Sequence, residues 1–148
     1  MSDMIFRLLS LKAKGFCCAQ AMLILGLEAQ GKSNVDLVRS MAGLCYGINW
    51  SGEVCGALSG GACLISLHSA KGAYEEAASE QHTKMLGELM EWFTRTADDQ
   101  YGGTRCNEVL EKFPDRSMCA KIVADTYKKC VDILTAHGFD PSAGAKQK

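Results

Sequence analysis

Cysteine is the residue type of this chain with the widest chemistry, and the sequence contains eight of them. A cysteine thiolate ligates soft metals and iron–sulfur clusters, and it also attacks disulfides. Four of the eight follow breaks in the helical pattern, so we expect each of them to begin a helix; they are Cys18, Cys55, Cys106 and Cys119. The free N–H groups and partial positive charge at a helix N-terminus favour a thiolate, so this placement predicts four cysteines of lowered pKa.

The other four cysteines are interpreted as core residues or auxiliary thiols. Cys130 shares a helix face with apolar residues, which predicts packing in the core. Cys63 lies two helical turns beyond Cys55, too far for a disulfide between them, so core packing is predicted for it too. Cys17 is adjacent to Cys18, but neighbouring side chains on a helix diverge. Cys45 lies in a loop and is a candidate auxiliary thiol. Structural disulfides are not expected, because the chain shows no secretory signal.

The segment that follows the second helix-start cysteine is rich in glycine. Gly52, Gly56 and Gly60 are spaced by four residues, which predicts that they share one face of a helix. A glycine within a helix costs about 0.5–1 kcal/mol relative to alanine, so a compensating gain is expected. The gain is close approach of another backbone or of a bulky inorganic centre. A tight helix crossing without chemistry is the competing interpretation.

Helical spacing of apolar residues dominates the chain, and alternating strand patterns are scarce. The sequence therefore predicts an all-α, single-domain bundle of about six or seven helices over residues 1–138, followed by a mobile tail over residues 139–148. A loop is predicted around Tyr46, Ile48 and Trp50. The later helices are predicted over 51–69, 74–96, 106–112 and 117–136, with a turn at 98–103.

Composition argues against several classes of partner. The 16 basic and 17 acidic residues give a net charge of −1, which offers no attraction for nucleic acid or an anionic membrane. No apolar run reaches the ~18 residues of a membrane span. The N-terminal segment lacks the features of a secretory signal, so we expect a cytoplasmic protein.

Four segments of the chain together resemble a known family. Gly52-x-x-Cys55-Gly56-Ala57-x-x-Gly60 is similar to the CGAxxG motif of the C_GCAxxG_C_C family of redox-active proteins. The stretch Gly15-Phe16-x-Cys18-Ala19-Gln20-Ala21 resembles the early cysteine of that family. Cys106-Asn107-Glu108-Val109-Leu110, preceded by Phe93 and Tyr101-Gly102, resembles its third cysteine, and Cys119 followed by Ile122-Val123 resembles its fourth.

This resemblance implies a helical redox protein in which the same four cysteines form the functional site. The family is similar to a domain of split-Soret cytochromes, where such cysteines are associated with an iron–sulfur cluster. The implied cofactor is therefore a [2Fe–2S]-like cluster for electron transfer, with metal ligands Cys18, Cys55, Cys106 and Cys119. The redox partner cannot be identified from the residues.

Other functions stay open at this point. A metal-free dithiol/disulfide protein could cycle a pair such as Cys18 and Cys55, although the absence of any C-x-x-C excludes a thioredoxin-type site. Structural zinc on four cysteines lacks the usual paired knuckles. A helical binding module with inert cysteines is the remaining alternative. The glycine face leaves open a homodimer as well as packing within one chain.

Overall fold

Stretches with apolar residues at helical spacing form helices in the computed structural model, which describes residues 3–144. No strand or sheet occurs in that range, so the predicted all-α class is confirmed. Within this range the chain forms seven α-helices: α1 (Asp3–Ala13), α2 (Cys18–Ala29), α3 (Val35–Met41), α4 (Gly56–Ser69), α5 (His82–Thr96), α6 (Cys106–Lys112) and α7 (Cys119–Ala136).

Helix boundaries follow from local hydrogen-bonding chemistry. The Asn34 side chain accepts a hydrogen bond of 3.0 Å from the backbone N–H of Leu37, which satisfies a free donor at the start of α3. Helix α1 ends before Gly15, whose φ of +93° is one that glycine adopts without steric cost. None of the helices in residues 3–144 combines the length and apolar character that crossing a membrane requires.

Helix α4 begins five residues later than the sequence predicted. Gly52 has a φ of +74°, and the chain then runs extended to an isolated antiparallel bridge between Val54 and Arg105. Gly52 therefore lies outside the helix, and only Gly56 and Gly60 share the predicted face. The prediction was wrong here because the bridge is a long-range contact that spacing cannot reveal.

Helix α5 also begins later than predicted, at His82 rather than near Tyr74. Tyr74 lies in a loop and is 99% exposed. The Glu76 side chain accepts hydrogen bonds from the backbone N–H groups of Gly72 and Ala73, so it competes with helical pairing in this segment. At its other end α5 continues into a π-helical segment, Ala97–Tyr101, instead of the predicted plain turn.

The core surrounds α4, which packs against α2, α5 and α7. Gly60 faces α2, and a Cβ built there lies 3.0 Å from the Cα of Ala19. Gly61 faces α7, where its Cβ would lie 3.1 Å from the sulfur of Cys130. Cys130 is fully buried, which confirms its prediction as a core residue, and the half-buried Cys63 also packs against the core.

The predicted tail is only partly described. Phe139 packs against the core, and residues 141–143 form a turn. Residues 145–148 lie outside the described range, so the mobility of the tail stays a prediction.

We expect Gly60→Ala to destabilise the protein by about 1–2 kcal/mol, because the overpacking cost of about 1–3 kcal/mol exceeds the gain in helix propensity. The matched control is Gly87→Ala in α5, where the built Cβ meets nothing within 4 Å. That variant should gain about 0.5–1 kcal/mol. Urea unfolding measures both, and equal stability of the two variants would contradict the close packing of α4 on α2.

Candidate functional site

The four cysteines that the sequence placed at helix starts do lie there. Cys18 is the first residue of α2, and Cys55 is the N-cap of α4. Cys106 and Cys119 are the first residues of α6 and α7. Four separate helix N-termini therefore carry a cysteine each.

These four cysteines, which we call the cysteine site, line a single cavity of about 90 Å³. The cavity wall is otherwise mainly apolar, and two cationic side chains, Lys12 and Arg116, also line it. The structure thus brings together all four cysteines that the sequence singled out. The two cations were missed, because nothing in their sequence neighbourhood marks them as part of a site.

A short backbone pairing places two members of the cysteine site side by side. Around the bridge between Val54 and Arg105, the Cys55 N–H donates to the carbonyl of Thr104 at 2.9 Å. The Cys106 N–H donates to the carbonyl of Glu53 at 2.6 Å. Cys55 and Cys106 each follow one of the paired residues, so α4 and α6 begin next to each other.

The glycine at the start of α4 lets Cys18 join them. A Cβ built at Gly56 would lie 3.2 Å from the Cβ of Cys18 and 3.2 Å from the backbone nitrogen of Ala19. A side chain at this position would push the starts of α2 and α4 apart. The glycine-rich segment therefore achieves the close approach of another backbone, which is one of the two gains expected from the sequence.

Cys18 and Cys119 form a hydrogen-bonded pair. The Cys18 thiol donates to the Cys119 sulfur, and this bond is the main cause that lowers the pKa of Cys119 to about 7. Lys12 and Arg116 lower it further, against the opposing effect of burial. The same bond holds the proton on Cys18 and raises its pKa, with burial as the next cause.

Burial raises the pKa of the other two thiols. For Cys55 the pKa rises to about 11, because desolvation outweighs the hydrogen bonds from the N–H groups of Ala57 and Leu58. Desolvation also raises the pKa of Cys106, despite the nearby charge of Arg116. The prediction of four lowered values was therefore wrong for three cysteines. Cys18 keeps its proton mainly because of its hydrogen bond to Cys119, and at Cys55 and Cys106 the helix N-terminus does not offset the loss of water.

A turn of unusual backbone conformation borders the cavity through its first residue. Residues 46–50, which we call the left-handed turn, all have φ between 52° and 64°, and only Gly47 among them is glycine. Each non-glycine residue in this conformation costs about 1–2 kcal/mol. Its first side chain, Tyr46, lines the cavity and stacks on Trp50 at 4.0 Å between ring centroids.

Arg116 connects this turn to the cysteine site. Its guanidinium lies 4.4 Å from the centre of the Trp50 ring and 5.1 Å from that of Tyr46. Cation–π contacts of this kind are worth about 0.5–2 kcal/mol and hold the charge in place. Arg116 precedes α7, so the same side chain that rests on the aromatic pair also acts electrostatically on Cys119 and Cys106.

The structure contains a disulfide between Cys17 and Cys45, with 5.8 Å between their Cα atoms. This corrects the expectation that the chain has no disulfide. Cys17 precedes α2 as its N-cap rather than lying within a helix, so its side chain is free to reach the neighbouring loop. Within residues 3–144 the remaining six cysteines are free.

No group of three or more His, Cys, Asp or Glu side chains within the described residues has the arrangement of a metal site. The cysteine site therefore provides four sulfur donors around one cavity without a preformed coordination geometry. Its donor chemistry is that of a soft metal or an iron–sulfur centre. Within the site, the Cys18 thiol interacts with the Cys119 sulfur and shifts its pKa.

A family model described as "Putative redox-active protein (C_GCAxxG_C_C)" matches residues 16–133, a range that contains the whole cysteine site. No curated protein and no solved structure matches the chain significantly.

In metal-free protein we expect Cys119 to be the cysteine of the site that alkylates at the lowest pH. Its rate with iodoacetamide should rise through a midpoint near pH 7, because its pKa is lowered to about 7, whereas Cys55 should react only at much higher pH. Cys18→Ala should move the Cys119 midpoint upwards, since it removes the donated hydrogen bond. Peptide mass spectrometry across a pH series measures each rate.

The control for this experiment is Cys63→Ala, which changes a half-buried cysteine outside the cavity. It should leave the Cys119 midpoint where it is in the unmodified protein. A Cys119 midpoint that stays the same in Cys18→Ala would contradict the hydrogen-bonded pair.

Proposed function

The chain belongs to the C_GCAxxG_C_C family of putative redox-active proteins, as its motifs predicted, and from this premise we propose that it is an electron-transfer protein whose cysteine site binds a [2Fe–2S] cluster. The observation that carries the proposal is the convergence of four thiols from four helix N-termini on one cavity. Its ligands would be Cys18, Cys55, Cys106 and Cys119.

The composition of the donor set supports this cofactor. Four cysteine thiolates are the usual ligands of a [2Fe–2S] cluster, which takes up and releases one electron when bound. Because the described residues hold no preformed metal site, binding requires the cysteines to rearrange and to lose their protons. The low pKa of Cys119 makes it the member of the site that loses its proton most readily.

The charges around the cavity also suit such a group. A cluster with four thiolate ligands is an anion, and Lys12 and Arg116 supply positive charge at the cavity wall. The contacts of Arg116 with Tyr46 and Trp50 restrict the motion of its side chain, so its positive charge stays near the cysteine site. Cations at this position favour the more negatively charged, reduced state of a bound centre.

Apolar side chains on several helices line the rest of the cavity and exclude water from it. Leu8 of α1, Val109 of α6 and Val123 of α7 are all buried. The backbone N–H groups of Ala57 and Leu58 favour the thiolate form of Cys55 by lowering its pKa. Water exclusion and hydrogen bonds to ligand sulfur are two means by which a protein sets the reduction potential of a cluster.

Protein purified or reconstituted without oxygen should contain iron and acid-labile sulfide in equal amounts and should absorb visible light. Cys55→Ala should reduce the bound iron to background, because it removes a ligand. Cys63→Ala is the matched control and should retain the cluster, since that cysteine lies outside the cavity. Circular dichroism checks that both variants are folded.

The same metal analysis separates the alternatives. Folded protein without iron under these conditions would contradict the proposal, and zinc in place of iron would indicate a structural zinc site. Equal iron in Cys55→Ala and Cys63→Ala would show that the cysteine site does not hold the metal.

A metal-free dithiol function is the second candidate, and the hydrogen bond between Cys18 and Cys119 favours it. The Cys119 thiolate would attack a substrate disulfide and release one thiol. Cys18 would then attack the mixed disulfide, which yields a Cys18–Cys119 disulfide and the second substrate thiol. This geometry favours Cys119 over Cys55 as the partner of Cys18.

Mild oxidation of metal-free protein with diamide should therefore link Cys18 to Cys119 before any other pair of the cysteine site. The reason is that the Cys18 thiol is hydrogen-bonded to Cys119, and that Cys119, with a pKa of about 7, is about half ionised near neutral pH. Peptide mapping without reduction identifies the bond. Cys119→Ala should abolish the cross-link, whereas Cys130→Ala, which changes a core cysteine, should not; a first bond between Cys18 and Cys55 would contradict this pairing.

A further inference from the structure

The Cys17–Cys45 disulfide lies beside the cysteine site without belonging to it. Cys17 lines the same cavity, and it directly precedes Cys18, the first residue of α2. Both cysteines of the disulfide are buried. A chain of this length buries enough surface to fold without a cross-link, so folding alone does not account for the bond.

The disulfide adjoins a segment of unusual backbone conformation. Cys45 is followed at once by the left-handed turn, and the Cys45 carbonyl accepts a hydrogen bond of 3.2 Å from the N–H of Asn49 within that turn. The β-branched Ile48 adopts this conformation too, although side chains of its kind avoid it. Such a segment persists only when its surroundings hold it in place.

The left-handed turn also makes non-covalent contacts with residues in and next to the cysteine site. The Gly47 carbonyl accepts the N–H of Glu53 at 3.1 Å, and a Cβ built at Gly47 would lie 2.9 Å from the Cβ of Cys106. Tyr46 lines the cavity, and its stacked pair with Trp50 supports Arg116. Through Tyr46 the left-handed turn thus contributes to the cavity wall, and the disulfide fixes the residue before the turn to the N-cap of α2.

We propose that Cys17–Cys45 is a second, reversible redox site that latches the left-handed turn over the cysteine site. Its reactant is a thiol reductant, either a dithiol or two monothiols. The first thiolate attacks one sulfur and releases the other as a thiolate. The second thiol then displaces the mixed disulfide, so that the reductant is oxidised to its disulfide while Cys17 and Cys45 become thiols.

Reduction removes the covalent tether from the residue that leads into the turn. The left-handed residues then relax towards ordinary backbone conformations, and Tyr46 withdraws from the cavity wall. Cys106 and Cys119, which are already half-exposed, become more accessible to molecules from solution. This inference goes beyond the proposed function and holds whether or not the cysteine site carries a cluster.

The test uses the full-length, metal-free protein, purified without reductant and then compared with a sample treated with dithiothreitol. Hydrogen exchange of residues 45–54 and the alkylation rate of Cys106 and Cys119 are measured in both states. Reduction should accelerate both by at least about tenfold, which corresponds to about 1.4 kcal/mol of opening free energy. Exchange in α5 should not change.

Two variants make the comparison specific. Cys45→Ser should show the fast rates with and without dithiothreitol, because it has no latch to open. Cys63→Ser, which alters a free cysteine outside the cavity, should respond to the reductant as the unmodified protein does. The comparison of oxidised and reduced unmodified protein decides the matter even if Cys45→Ser does not fold.

Three results would overturn the proposal. Cys17 and Cys45 could both be free thiols in protein purified without reductant. Reduction could leave the exchange of residues 45–54 and the two alkylation rates unchanged. Exchange could also increase equally in α5 and in the turn, which would make the disulfide a general structural staple. Iron content does not enter this test, so failure of the cluster proposal is distinguishable from failure of the latch.

Discussion

The close approach of α2 and α4 is the constraint on which the cysteine site depends. It exists because Gly56 and Gly60 present no side chain to the backbone of Ala19. Cys18 can then lie beside the start of α4, where Cys55 is the N-cap. The helix-propensity cost of the two glycines is offset by this packing, so the site is built from the same contact that holds the bundle together.

The electrostatics of the site result from a competition between two effects that act at every helix start. The N-terminal N–H groups favour a thiolate, while removal of water disfavours it. Desolvation prevails at Cys55 and Cys106, and only Cys119 gains enough from Cys18 and the nearby cations to have a lowered pKa. A buried set of four thiols thus holds one negative charge more readily than several, unless a cation or a metal compensates the rest.

Sequence patterns predicted the helices and the cysteines at their starts. This was possible because glycine and proline interrupt a helix through their own backbone conformation, which can be recognised from the local sequence. They predicted the bounds of α6 correctly but missed the late start of α4, which depends on the pairing of Val54 with Arg105. The disulfide, the left-handed turn and the position of Arg116 depend on contacts between distant segments, which no local pattern encodes. The convergence of the four cysteines was inferred from a family resemblance, since their spacing alone leaves their separation in space undetermined.

The contact between Cys18 and Cys119 joins the second helix to the last one, with most of the chain between them. A pairing of such high contact order forms late, because the intervening loop must first close. During synthesis on the ribosome, α2 emerges long before α7 does. Cys18 therefore spends that interval without its partner, and loading of any inorganic centre into the complete site follows translation of the C-terminal helix.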